Sequence, residues 1–102
     1  MTDEERLAVA RDMFDAWNRE DWDRVAELFA EDGVLHSVMQ SPIVGRAAID
    51  TRIRALTRGL ERIELRIKAL GVIDHRVFVE RVDDFDVDGH HGEVPVVGIL
   101  RI

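Results

Sequence analysis

The sequence predicts an α+β domain, with helices packed on one face of a curved, mainly antiparallel (mixed) sheet. Three observations carry that reading. Apolar residues up to Leu60 recur at helical spacing. From Ile63 onward they alternate with period two, which is strand behaviour. Asp88-Gly89 separates two such alternating runs and is a hairpin signal. Helices first and neighbouring strands after is the order of an α+β fold, not of a parallel α/β one.

Thr2-Asp3-Glu4-Glu5 fits a capping box, with Thr2 as the cap and Glu5 reaching back. Leu7, Ala10, Met13, Phe14 and Trp17 then form one apolar stripe. Asn18 to Glu20 interrupts it. Asp21 is placed to cap a second, short helix with Trp22, Val25, Leu28 and Phe29 inward. Glu31-Asp32-Gly33 is a turn, Val34 to Met39 a short strand, and the Ser41-Pro42 region a loop. After Gly45 a third helix carries Ile49, Ile53, Leu56 and Leu60, broken near its end by Gly59.

Ile63 to Ala69 sets Ile63, Leu65, Ile67 and Ala69 against Glu64, Arg66 and Lys68, a half-buried strand that extends through Val72. Asp74-His75 turns the chain into the strand Val77 to Val87. Glu93 to Ile102 is another strand, with Pro95 near its start, where a missing amide is tolerated. The chain still reads as strand at Gly98 to Ile102. The expectation is one domain over residues 1–102 whose final strand lies further on.

A chain of 102 residues is one small domain. A net charge of -7 and a pI near 5.0 argue against nucleic acid and anionic membrane as partners, since both need a basic surface. The absence of cysteine removes disulfide frameworks, thiolate metal sites and cysteine nucleophiles together. With no bilayer-length apolar run and an acidic start, a cytoplasmic protein is expected.

The strand Val77 to Val87 has two unlike faces. One carries Val77, Val79, Phe85 and Val87, with Arg81 and Asp83 among them; the other, Phe78, Glu80, Val82, Asp84 and Asp86, reads as wetter. A guanidinium and a carboxyl two apart on an apolar face must pair to be tolerated. Such a carboxyl can serve as a general acid or base. It can equally be half of a structural ion pair that locks the sheet, and the residues alone leave both readings open.

Other constellations are weaker. Asp84, Asp86, Asp88 and Gly89 open like a calcium loop, but the twelfth position is Pro95, where a bidentate Glu is required. His36, His75, His90 and His91 have no helical ligand spacing, so no metal is expected; His36 alone sits where it could touch a pocket. Arg52, Arg54 and Arg58 read as a solvated helix face. Gly45-Arg46 is a loop-to-helix junction and no phosphate loop, and Ser37 and Ser41 lack a nucleophile elbow. No cofactor is implied.

Phe14-x-x-Trp17-Asn18, Leu28-Phe29-Ala30-Glu31-Asp32, Pro42, Gly45-Arg46, Glu80-Arg81-Val82-Asp83 and Pro95-Val96-Val97-Gly98 together resemble the limonene-1,2-epoxide hydrolase group, within the SnoaL-like, NTF2-like cone fold. The resemblance implies an epoxide hydrolase working by one-step general acid/base catalysis. Asp83 would protonate the epoxide oxygen and Arg81 would orient the carboxylates. A second Asp on a later strand, past Ile102, would activate water. Where that family holds water with Tyr and Asn, this chain has Leu35 and Ser37; Ser37 can still hold a water, Leu35 cannot. A small hydrophobic, epoxide-type ligand is implied, in a pocket lined by Leu35, Ser37, Met39, Val79, Val97 and Ile99 above Arg81 and Asp83. A homodimer through the sheets is implied as well. A non-catalytic ligand-binding or dimerisation module, and an isomerase or cyclase of the same fold, are the alternative functions.

Overall fold

The computed structural model describes residues 1–37 and 39–102. Helix α1, Asp3–Asn18, starts at the expected capping box: the Glu5 amide donates to Thr2 Oγ1 (3.1 Å) and the Thr2 amide to Glu5 Oε1 (2.8 Å). Helix α2, Trp22–Glu27, is capped by Asp21, which accepts from the Arg24 amide at 3.1 Å. Strands β1, Val34–Leu35, and β2, Ile43–Val44, form a small antiparallel ribbon. Helix α3, Arg46–Leu56, follows Gly45, whose φ of 99° belongs to glycine.

Three long strands complete the fold: β3, Leu60–Ile73; β4, Arg76–Val87; and β5, His90–Arg101. They pair antiparallel in the order β3-β4-β5, so β4 is central. Both turns have two residues at positive φ, Asp74-His75 (50° and 63°) and Asp88-Gly89 (49° and 78°), the geometry that matches strand twist. Helices on an antiparallel sheet make this the predicted α+β architecture. The strand expected from Val34 to Met39 is shorter than predicted. It ends at Leu35, Met39 is 98% exposed at φ 69°, and Val38 lies outside the described residues. Among the described residues no helix is long and apolar enough to cross a membrane.

The core has two parts. Under α1, Ala10 and Phe14 pack on Leu65, Val77 and Val79. Between the helices, Met13, Ala16, Val25, Ile49 and Ile53 pack together. Trp17 touches both parts and meets Trp22 edge-on at 5.0 Å. Burying each large apolar side chain contributes about 1.5–3 kcal/mol. Asn18, at the end of α1, accepts from the Leu65 amide (2.6 Å) and donates to its carbonyl (3.3 Å). Its amide thus stands in for a strand along the outer edge of β3 and ties α1 to the sheet.

The outer face of β4 corrects the expectation of a wet surface. Asp84 is only 6% exposed. Arg62 and Arg66 of β3 both pair with it and cover it, and His91 of β5 lies 3.7 Å away. Arg62 also pairs with Asp86 (3.0 Å), Arg66 with Glu93 (3.1 Å), and His91 Nδ1 with Asp86 (2.7 Å). The hydrogen bond to Asp86, with Asp84 and Glu93 nearby, raises the His91 pKa. The Arg62 hydrogen bond lowers that of Asp84; His91 and then Arg62 lower that of Asp86.

The signs set a window. A raised histidine contributes stability that is complete below its unfolded value, about 6.5, and is lost as pH rises through the folded value. The lowered carboxyls contribute above about 4 and lose that contribution in acid. His91→Gln is therefore expected to flatten the alkaline side of the stability profile and to shrink the acid limb to the part that Arg62 maintains through Asp84 and Asp86. Urea midpoints from pH 4 to 8.5 measure it; an unchanged alkaline slope would exclude the His91–Asp86 contact as its source.

Candidate functional site

Arg81 and Asp83 stand on the inner face of β4, the face that α1 covers through Val77 and Val79. Arg81 Nε donates to Asp83 Oδ1 at 2.8 Å and Nη2 to Oδ2 at 3.4 Å. This is a side-on, two-bond fork. The two side chains are about one-fifth exposed, so the pair is largely covered but reachable. The guanidinium carbon lies 5.9 Å from the centre of the Phe14 ring, within cation–π range. Arg81 pairs with no other carboxylate among the described residues.

The register fixes the surroundings. Leu65 of β3 lies opposite Asp83, and on β5 Val94 faces Asp83, Val96 faces Arg81 and Gly98 faces Val79. Leu65 is buried, whereas Val94 is 46% exposed, so the inner face opens on the β5 side of the pair. An apolar floor with one charged pair and one open flank can hold a small apolar molecule with a polar atom near Asp83.

The predicted lining separates into three groups. Val79 is on the inner face but fully packed in the core. Leu35 packs against the inter-helix core, while Ser37 and Met39 are exposed. Val97 and Ile99 were expected over the pair, and the register corrects this. They lie opposite Glu80 and Phe78, on the outer face, and are 76% and 54% exposed. Alternation gives the inner face to Val96, Gly98 and Leu100 instead. A cavity of about 150 Å³ touches Arg81, but Glu80, Val82, Pro95 and Val97 of the outer face supply much of its wall.

A family model for the SnoaL-like domain matches residues 10–102. The chain belongs to that family. Solved structures of similar shape include an LEH-like epoxide hydrolase from M. tuberculosis, with TM-score 0.87, 23% identity, and coverage of 98% of this chain and 74% of that one. A protein designated a polyketide cyclase from Xanthomonas campestris gives TM-score 0.83 and 23% identity over 94% and 79%. A protein of ketosteroid isomerase-like fold from Catenulispora acidiphila gives 0.80 and 21% over 92% and 75%. At these identities the likeness speaks for the fold. No curated protein sequence matches the chain.

Within this SnoaL-like domain the other candidates fall outside the inner face. The calcium-like Asp84 and Asp86 are strand residues paired with Arg62. Asp84, His91 and Glu93 bring possible ligand atoms within 4.8 Å of one another, yet Arg66 already pairs with both carboxylates. Arg54 is not simply solvated; it pairs with Asp50 of its own helix (2.8 Å) and links α3 to α2 through Asp23 (2.5 Å). His36, His75 and His90 are exposed.

If the fork holds the inner face, Arg81→Ala leaves a largely covered carboxylate unpaired and costs about 1–3 kcal/mol. Adding Asp83→Ala to it should recover part of that loss. Urea denaturation of the double-mutant cycle tests this, and a coupling near zero would mean that the pair does not hold the sheet.

Proposed function

We propose that this SnoaL-like domain opens a small hydrophobic epoxide by cofactor-independent acid–base catalysis, with Asp83 as the proton donor and Arg81 holding it. The supporting observation is the forked, partly reachable pair on an otherwise apolar inner face. Ring opening breaks a C–O bond as water's oxygen attacks the carbon. One proton goes to the epoxide oxygen and one leaves the water. Asp83 fits the first transfer. The second needs a base; in the limonene-type reading this is an Asp on a strand past Ile102, and in its absence the proton passes to solvent water. The absence of cysteine suits a reducing cytoplasm.

Diol formation from a terpene epoxide tests the reading. Without that base the unmodified chain should turn over slowly, and Asp83→Asn should lose about a hundredfold or more, with an unfolding midpoint lowered no further than in Arg81→Ala. Full activity in Asp83→Asn would remove Asp83 from the chemistry. No turnover in the unmodified chain, but saturable binding of the epoxide, would favour a ligand-binding module. The packing of Arg81 against Phe14 supports that second reading, because it gives the pair a structural use.

A second copy of the chain is the proposed protein partner, docking on the outer face. Ile73, Val97 and Ile99 are exposed there beside Phe78. A two-fold axis crossing the strands at Phe78 exchanges positions 76 and 80, setting Arg76 of one copy against Glu80 of the other. Val97→Glu puts a carboxylate into that interface. Light scattering should then find a dimer for the unmodified chain and a monomer for the variant; a monomer in both cases rejects the surface.

A further inference from the structure

Gly98 has no backbone reason to be glycine. Its φ lies outside the left-handed region, unlike those of Gly45, Gly59 and Gly89. In mid-strand a glycine weakens the sheet and commonly marks a close approach. The approach here is by Arg81. A Cβ built on Gly98 would stand 3.2 Å from Arg81 Nη1 and 3.3 Å from Val79 Cγ1. Nη1 thus closely borders the place of the missing side chain, while Nε and Nη2 face Asp83. Phe14 bounds the same guanidinium, with its ring centre 5.9 Å from Cζ.

We infer that Gly98 and Phe14 are positioning residues: the vacant side-chain site on β5 seats the Arg81 guanidinium, the α1 aromatic ring bounds it, and together they aim its fork at Asp83. Neither residue needs to touch a ligand. A side chain at 98 pushes Nη1 away, and the fork must then rotate or lengthen. A planar guanidinium tolerates little of either before one of its two bonds is lost. Neither residue carries a titratable group, so each acts on the pair through its contact with the Arg81 guanidinium. For catalysis the inference rests on the reading of Asp83 as proton donor. For the geometry of the pair it stands alone.

The test is the Arg81 Nε–H signal in a nitrogen–proton NMR spectrum of the full chain. In the unmodified protein this proton is bonded to Asp83 and should exchange slowly with water. Gly98→Val is expected to shift the signal and speed exchange about tenfold, and Phe14→Leu to do so to a smaller degree. Gly71→Val is the control, since Gly71 is also a strand glycine without positive φ and a Cβ there meets nothing within 4 Å. An unchanged Arg81 signal in Gly98→Val, or an equal change in Gly71→Val, overturns the inference. Should Gly98→Val fail to fold, Gly98→Ala demands a shift of only a few tenths of an ångström and carries the same comparison. Diol formation is read in parallel, with kcat lowered and KM held in Gly98→Val. An inactive unmodified chain whose Arg81 signal still responds would sink the epoxide reading and keep the positioning role.

Discussion

A charged pair on the covered face of the central strand is the constraint around which the other elements are arranged. A guanidinium and a carboxylate can stay under a helix only if each satisfies the other, because the cost of an unpaired charge there exceeds any packing gain. Arg81 and Asp83 meet that demand through two hydrogen bonds from one side chain to another two residues on. Everything nearby then has to leave room for a large planar cation. Helix α1 offers a flat ring at Phe14, and β5 offers a position with no side chain. The tie from Asn18 to the Leu65 backbone fixes how α1 lies on the sheet. Leu65 is the residue opposite Asp83, so that tie acts beside the pair.

Much of the fold was legible because its signals are local. The Thr2–Glu5 box, the Asp21 cap and the two-residue turns act within four residues, and local chemistry is what sequence displays. The pairing of Arg81 with Asp83 was legible for the same reason. Side chains two apart on a strand share a face wherever the strand goes.

The site's walls were not legible in the same way. From Pro95 to Leu100 both parities of β5 carry apolar residues or glycine, so alternation alone cannot choose the inward one. Register chooses, and a register signal was present. A two-residue turn at Asp88-Gly89 pairs Val87 with His90, and counting back along both strands brings Val79 to Gly98 and Arg81 to Val96. The expected placement of Val97 and Ile99 erred by one residue, which in a strand is a whole face. The same counting back from Asp74-His75 holds on β3 only to Ala69, because a bulge between Ala69 and Ile67 shifts the register. Leu35, Ser37 and Met39 failed for another reason: a two-residue strand has too little length for periodicity to show. Asp84 misled because a carboxylate is read as solvated by default, and the guanidinium groups that cover it come from another strand.

The two faces of β4 solve one electrostatic problem in different ways, and the difference bears on function. On the outer face Asp84 has Arg62, Arg66 and His91, and Asp86 has Arg62 and His91. Loss of any one contact leaves others, so charge alone keeps the arrangement in place. On the inner face one carboxylate meets one guanidinium among the described residues. Two hydrogen bonds align the fork with Asp83, but among the described residues no second ion pair anchors the guanidinium against the rest of the sheet. Shape must supply that missing constraint, and Phe14 and Gly98 are the shape available. A redundant network suits a strut. A single pair whose orientation is set by packing suits a site, because a ligand or a further carboxylate can engage the exposed flank without dismantling the sheet.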